Sequence, residues 1–383
     1  MDGPDNTIDL LQLTSAGGCG CKLPLDDMRE FMSSVDNLLG NRESGVRLDG
    51  TDRDDTALYE VIPGLLLAVT VDFGSPVSSN LSTWGRIATQ NALSDIFAMG
   101  ARPLLALSVL ALPPSFGVTA MTEITSAAVE TLADVSTSLV GGHTVRSEVP
   151  LFGLCVVGQV SADRVMLVRN AKPGDLLVLT KSLGTGVVIA GKKAGVAPTA
   201  MIKASEEVML ASNRVAADLA ADAGVRAATD VTGYGLIGHL HNMMAASKCS
   251  ARVNAHDLPV IPGVQALLEE HGVVPNSAER NLFALMDYVD WTQTPLTTRF
   301  VMADPQTSGG LLLSVGENKA ATFVQACEKE GLRVAIVGRV LGGSPGGIEV
   351  TDLCTVKSSN RACKVQRVHV LQYGSRIDRR GVC

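Results

Sequence analysis

Leu65-Leu66-Leu67-Ala68-Val69-Thr70-Val71-Asp72-Phe73-Gly74 is an apolar run that ends in an acid and a glycine. Leucine and valine without a charge through Val71 predict a buried strand. Downstream, Ser82–Met99 predicts a helix, with Ser82 or Thr83 as N-cap and Gly100 just past its end. Leu104–Leu112 reads as an apolar strand, Thr122–Leu139 as a helix and Leu151–Val160 as a further strand. Strand and helix therefore alternate, the rhythm of an α/β or α+β chain. An acid closing a buried strand before a glycine turn is a frequent place for a metal or nucleotide ligand. It can equally be a turn cap.

The rhythm restarts after Lys172-Pro173-Gly174, the best domain boundary. A strand over Leu176–Thr180 is followed by Gly184-Thr185-Gly186 and an alanine-rich helix from about Ser205 to Ala223. A buried strand at Leu311–Val315, a helix at Ala320–Lys329 and a last strand at Val334–Val340 complete the second unit. We expect a flexible segment with a cysteine loop and a helix over 1–44, and a first domain over 45–165. A second domain is expected over 170–342, followed by a basic, loosely held extension over 343–383.

The chain has 383 residues, 46% of them hydrophobic and only 4% aromatic, so aliphatic cores are expected. A formal charge of −7, with no basic stripe in the body, argues against nucleic-acid binding. No apolar run reaches membrane-spanning length, and Met1–Ser15 lacks the apolar segment of a secretory signal. The cysteines lack the spacing of a disulfide framework. A reduced, cytoplasmic protein is the simplest expectation.

Several short motifs carry chemistry. Gly17-Gly18-Cys19-Gly20-Cys21-Lys22 places two thiols and an ammonium on glycine-rich backbone. Lys22 favours the thiolate, and with the loop's N–H groups it could hold phosphate oxygens. An inert loop or half of a zinc site would look the same. Asp52-Arg53-Asp54-Asp55 gathers carboxylates that repel one another unless a cation compensates, although acidic turns are commonly just solvated. Asn91 and Asp95 share one face of an otherwise apolar helix and need partners if buried. Gly141-Gly142-His143-Thr144 reads as a glycine turn able to approach a phosphate or a base. In Asp230-Val231-Thr232-Gly233-Tyr234-Gly235 an acid precedes a turn that opens a helix, and His239 reads as a helix-surface or packed residue rather than a ligand. Asp304-Pro305-Gln306-Thr307-Ser308-Gly309-Gly310 is a polar loop beside a strand, for which turn chemistry is a sufficient account. Asp55, Asp72, Asp95 and Asp230 together would suit Mg²⁺ and a triphosphate. No Walker-type loop is present, so an ATP enzyme here belongs to another fold.

From Gly17 to Val340 these motifs, in this order, resemble the selenophosphate synthetases of the aminoimidazole-ribonucleotide-synthetase-like ATP-binding superfamily. The resemblance implies a two-domain fold and a homodimer whose N-terminal domains build a shared β-barrel-like core, with an α/β C-terminal domain. It implies conversion of ATP, hydrogen selenide and water to selenophosphate, AMP and phosphate. Cys19 matches the catalytic cysteine or selenocysteine and Lys22 the essential lysine. Asp55, Asp95 and Asp230 match the Mg²⁺-binding acids, with Asp95 also near the nucleotide. Lys22, Asp72 and the Asp52, Arg53 and Asp54 segment match nucleotide contacts. Gly142, His143 and Thr144 match a contact made across the dimer. Implied partners are selenide or a selenium-delivery protein, and selenocysteine synthesis downstream. A ligase or thiamine-phosphate-type kinase would reuse the acids without needing the cysteine loop. A non-catalytic selenium- or metal-binding protein would use Cys19 and Cys21, half of a usual zinc site.

Overall fold

The computed structural model describes residues 10–14, 17–39, 45–48, 54–292 and 294–352, without the side chains of 19 and 36–39. The expectations for Asp52, Arg53, the Cys19 thiol and the basic end beyond 352 lie outside the described residues.

Two sheets come from consecutive stretches of the chain. The first comprises β1 (Val46–Leu48), β2 (Ala57–Ile62), β3 (Leu65–Gly74), β4 (Arg102–Leu112), β5 (Ser138–Arg146) and β6 (Leu151–Ser161), in the order β1-β2-β3-β6-β4-β5. β4 and β5 pair in parallel, and the other pairs are antiparallel. The second sheet has the order β10-β13-β9-β12-β7-β11-β8. Its strands are β7 (Leu176–Leu179), β8 (Ala227–Asp230), β9 (Ser250–Asn254), β10 (Val289–Asp290), β11 (Leu311–Val315), β12 (Ala335–Leu341) and β13 (Ile348–Thr351). β13 pairs in parallel with β9 and β10, and the remaining pairs are antiparallel. The mixed, largely antiparallel pairing puts the chain on the α+β side of the expectation. β11 lies between β7 and β8 with every residue buried, which is why it reads as an unbroken apolar run.

Helix α1 (Leu25–Leu39) follows the cysteine loop, and α2 (Leu81–Ala98) and α3 (Val118–Ala133) cover one face of the first sheet. β3 alternates: Leu66, Ala68 and Asp72 are buried, whereas Val71 and Phe73 are exposed on the opposite face. Trp84 of α2 meets Phe152 of β6 edge-on, with centroids 6.1 Å apart, and Ile87, Leu93 and Ile96 extend the same core. In the second unit, α4 (Thr185–Lys193), α5 (Thr199–Leu210), α6 (Arg214–Asp222) and α7 (Gly235–Ala246) come in turn. Among the described residues, no helix is long and apolar enough to cross a membrane.

Several boundaries differ from expectation for identifiable reasons. The N-cap of α2 is Asn80, whose Oδ1 accepts from Thr83 N at 2.7 Å, rather than Ser82 or Thr83. α3 ends six residues early, because Ser136 takes a left-handed φ of 54° and the chain re-enters the sheet at Ser138. Gly141 through Thr144 are consequently part of edge strand β5, not a turn. A Cβ on Gly142 would lie 2.1 Å from Ser108 Oγ, so close approach of β4 is what demands glycine there. The alanine-rich helix is two helices, broken where Asn213 turns inward to bond Ser94 Oγ and Gly309 O, each at 2.8 Å. Leu10 and Leu11 are buried in a short 3₁₀ turn, so that part of the leader is docked. Val334–Val340 is not the last strand, since β13 follows it and completes the sheet beyond Gly342.

Phe152→Ala should lower the unfolding free energy by about 3–5 kcal/mol, because it empties the ring's place against Trp84. A denaturant midpoint shifted at unchanged slope checks this; a near-neutral result would show that the α2–sheet core repacks.

Candidate functional site

A cavity of about 580 Å³ opens between the ends of the two sheets and α1. β3 delivers Thr70 and Asp72, α2 delivers Asp95, β8 ends in Thr229 and Asp230, and the turn before β2 delivers Asp54 and Asp55. Among the described residues, five aspartates thus line it, against two cationic side chains, Lys22 and Arg29. Arg29 is already engaged with Asp26 at 3.1 Å.

Four of the five acids are oriented by specific donors. Thr70 Oγ1 donates to Asp95 Oδ2 at 2.6 Å, Thr229 Oγ1 to Asp55 Oδ1 at 2.9 Å, and Val168 N to Asp54 Oδ1 at 2.8 Å. Asp72 Oδ2 accepts from Lys22 Nζ and from Asn91 Nδ2, both at 2.9 Å. Among the described residues, Asp55 Oδ2 and Asp230 Oδ2 are buried with no hydrogen-bond partner. Asp55, Asp230 and His239 each offer a ligand atom, all within 4.8 Å of one another. Two unit charges at that spacing repel by at least about 3 kcal/mol at an effective dielectric of ~20.

The electrostatics follow from this crowding. Removal from water, and then the charges of Asp230, Asp95 and Asp54, push the Asp55 carboxyl well above the usual range. Burial, followed by Asp230 and Asp72, does the same to Asp95, partly opposed by Lys22. Burial pushes Asp230 up to about 6. Burial also takes His239 down to about 3, keeping its ring neutral. Orphaned carboxylate oxygens, hard donors and uncompensated negative charge fit a divalent cation such as Mg²⁺. Asp55, Asp95 and Asp230 could hold it, and Lys22 could meet an anion that it carries.

The glycine-rich loop sits at the mouth. Gly18 makes an antiparallel bridge to Ser75, with Gly18 N donating to Ser75 O at 3.1 Å, and Cys19–Cys21 forms one 3₁₀ turn. Gly18 has φ +53°, and a Cβ there would lie 2.1 Å from Thr307 Oγ1. Cys21 is exposed and lines the cavity with Lys22.

The structure therefore brings together Lys22, Asp54, Asp55, Asp72, Asp95 and Asp230. Gly142, His143 and Thr144 stand apart, exposed on β5 and outside the cavity lining. Sequence reasoning missed Thr70 and Thr229, which orient acids, and set aside His239, which stands in the cluster. Thr229 adjoins Asp230, the one available signal. The polar loop at Asp304 is more than a turn. Asp304 Oδ2 accepts from Gly186 N at 3.0 Å, and Gln306 Oε1 accepts from Gly184 N and Thr185 N at 3.1 and 3.2 Å. Two motifs that read separately are one unit, in which side chains cap the first turn of α4. Burial pushes the Asp304 carboxyl up to about 7 even so.

Comparison with known proteins places this geometry in a family. Residues 53–160 match the AIR synthase related protein, N-terminal domain, and residues 172–351 the AIR synthase related protein, C-terminal domain. A selenide, water dikinase from Myxococcus xanthus is 37% identical over 345 residues, 89% of this chain and 97% of the relative. One from Porphyromonas gingivalis is 35% identical over 337 residues, 87% and 95% of the two chains. Among solved structures, thiamine-monophosphate kinase from Stenotrophomonas maltophilia superposes with TM-score 0.60 at 20% identity, covering 86% of this chain and 96% of that one. AaThiL complexed with AMPPCP and TMP gives TM-score 0.62 at 18% identity, covering 88% and 98%. Hydrogenase maturation protein HypE in complex with ATP gives 0.58 at 17%, covering 89% and 94%. At these identities the structural likeness shows a shared fold.

A pH prediction follows from the crowded acids in metal-free protein. A carboxyl whose pKa is raised by folding keeps a proton that the unfolded chain releases. Its contribution is fully present below the ordinary value of 3.8 and is lost as pH rises through the folded value, about 6 for Asp230. His239, taken down to about 3, contributes with the opposite sign over this window but is common to wild type and variant. With chelator present, the stability of wild type relative to Asp230→Asn should therefore fall between pH 4 and pH 6, and Asp230→Asn should be the more stable protein at pH 7. Thermal melts across that range check this, and a variant less stable than wild type at pH 7 would overturn the crowding argument.

Proposed function

Because the chain belongs to the selenide, water dikinase family, we propose that its acid-lined cavity takes Mg²⁺-ATP and that the glycine-rich loop brings selenide to it. The activity is selenophosphate synthesis: ATP, hydrogen selenide and water give selenophosphate, AMP and phosphate. One observation carries the site assignment. Asp55, Asp95 and Asp230, far apart in sequence, converge with two unpartnered carboxylate oxygens beside Lys22.

In this reading Asp55, Asp95 and Asp230 hold Mg²⁺, which when bound neutralises charge on the phosphates. Thr70 and Thr229 keep two of those carboxylates aimed. Asp72 holds the Lys22 ammonium at the cavity edge, where it meets a phosphate oxygen or the anionic selenide. Cys19 is the chalcogen-handling residue, one position from the Gly18 bridge to Ser75. Asp52, Arg53 and Asp54 contribute to the nucleotide side. The loop also restricts water at the mouth, which limits simple hydrolysis. AMPPCP- and ATP-bound relatives of the same fold support the nucleotide.

A homodimer belongs to this proposal. The face of the first sheet opposite α2 leaves Tyr59, Val61, Val71, Phe73, Leu107 and Val140 exposed. A second copy closing over it would make the barrel-like core, bringing Gly142, His143 and Thr144 to a partner subunit. Selenide or a selenium-delivery protein supplies the substrate, and selenocysteine synthesis in a reducing cytoplasm consumes the product. No nucleic-acid partner is proposed.

Phosphorus NMR of the protein with Mg²⁺-ATP and selenide should show AMP, phosphate and a selenium-coupled phosphorus resonance; ADP alone would mean an ordinary kinase. Cys19→Ser should abolish the coupled resonance while Mg²⁺-ATP binding by calorimetry persists. Loss of folding in that variant would assign Cys19 a structural role. Sedimentation should show a wild-type dimer that Leu107→Asp converts to monomer, and an unchanged dimer would move the interface elsewhere.

A further inference from the structure

We infer that His239 is a positioning residue, whose ring fixes Thr229 and through it Asp55, rather than a ligand of the cation. The direction of the hydrogen bonds carries this. Thr232 N lies 3.1 Å from His239 Nε2, and a backbone amide can only donate. Nε2 therefore presents its lone pair, and Thr232 Oγ1 at 3.3 Å can add a second donor to it. In a neutral ring the proton then sits on Nδ1. Nδ1 lies 3.5 Å from Thr229 Oγ1, a long contact in which Nδ1–H faces that oxygen.

That contact and the two acceptors on the far side orient the threonine hydroxyl the same way. Its single hydrogen is left for Asp55 Oδ1 at 2.9 Å, with the Asp230 carbonyl oxygen a second acceptor at 3.2 Å. A directed chain results, running from the Thr232 amide through the imidazole and the Thr229 hydroxyl to one oxygen of Asp55. The other oxygen, Asp55 Oδ2, is buried without a partner, as is Asp230 Oδ2. These are the atoms left for a cation. Ligation through Nδ1 would require the proton on Nε2, directly against the Thr232 N–H. Proximity alone, with His239 among ligand atoms within 4.8 Å, would have suggested a ligand; donor and acceptor bookkeeping says otherwise.

The inference deepens the Mg²⁺ reading and rests on it for its consequence, whereas the tautomer can be tested without metal. In full-length protein carrying ¹⁵N-histidine, long-range proton–nitrogen correlation should show His239 protonated at Nδ1, assigned by replacing the other histidines in turn. Protonation at Nε2 would overturn the proposal. With Mn²⁺ and AMPPCP bound, pulsed EPR of the same labelled protein should show no directly coordinated histidine nitrogen, and a strong ¹⁵N coupling would make His239 a ligand. His239→Gln, which can accept from Thr232 but has no donor at Nδ1, should weaken Mn²⁺ binding about 10-fold. His239→Asn places an amide N–H at that point and should bind closer to wild type; the reverse order would overturn the relay. Thr229→Val should weaken binding similarly, and the double variant with His239→Gln should lose no more than the worse single one. A double loss equal to the product of the singles would mean that the two act independently. Wild-type protein that takes no Mn²⁺ would remove the metal reading and the role of Asp55 in it, leaving the nitrogen shifts to decide the tautomer.

Discussion

Carboxylates that converge in a partly dry cavity repel one another more strongly than most single contacts in a protein attract. At the meeting of the two sheets burial comes first and repulsion second: together they push Asp55 and Asp95 toward holding their protons, and burial does the same to Asp230. Lysine or arginine could relieve the repulsion, yet among the described residues the cavity's cations are Lys22, bound to Asp72, and Arg29, turned to Asp26. Charge is thus left over where a divalent cation carrying a polyphosphate would remove it. Stability is surrendered at this point in exchange for a binding site, and the surrounding structure has to hold the acids in place.

The holding is done by polar side chains that cross between the two units. Asn91 donates to Asp72 Oδ2 and accepts from Ser308 N at 2.8 Å, so one amide ties this acid to the 304–310 loop. Asn213 ties Ser94 of α2 to Gly309 of the same loop. Within the second unit, Lys181 is buried and donates to Ser308 O at 2.7 Å, fixing the loop that both asparagines reach, and burial takes its ammonium down to about 7. Asn91 and Asn213 would be expensive if left unpaired, so their contacts specify one relative arrangement of the two sheets. α2 is the hinge-pin of the arrangement: its apolar side makes the first core, and Asn91, Ser94 and Asp95 face the seam.

Much of this was legible because chemistry and periodicity coincided. The apolar runs at β3, β4, β6 and β11 declared buried strands, and Asp72 sits close to the end of β3, whereas Asp230 ends β8, a strand too short to stand out in the sequence. Asn91 and Asp95 stood out as polar residues on an apolar helix, which only a buried partner explains. The misreadings share a different cause. Gly141 and Gly142 look like a turn in sequence, but glycine is needed there because Ser108 on the neighbouring strand comes too close for a side chain. The break between α5 and α6 is invisible in an alanine-rich stretch, since it is set by what Asn213 reaches across space. His239 was set aside because a lone histidine on an amphipathic helix is usually packing. Its role depends on the turn from Thr232 to Gly235 folding the helix back beside the end of β8, a tertiary fact of short range.

The cysteine loop shows how little backbone is needed to bring a reactive segment to such a cavity. Gly18 is pinned to Ser75 by a bridge, and Lys22 is pinned through its side chain to Asp72, three residues earlier on the same strand. The loop thus runs antiparallel along the end of β3, and the turn Cys19–Cys21 spans the interval between the pins. Consecutive Cα atoms are about 3.8 Å apart, so the backbone of Cys19 can stand no farther than that from Gly18. Any Cβ on Gly18 would strike Thr307, which belongs to the loop that also receives Asn91 and caps α4. The placement of the loop and the placement of the acids therefore share one scaffold, the 304–310 segment. A change there would disturb the cluster of acids and the Cys19–Cys21 turn together, although neither contains a residue of that segment.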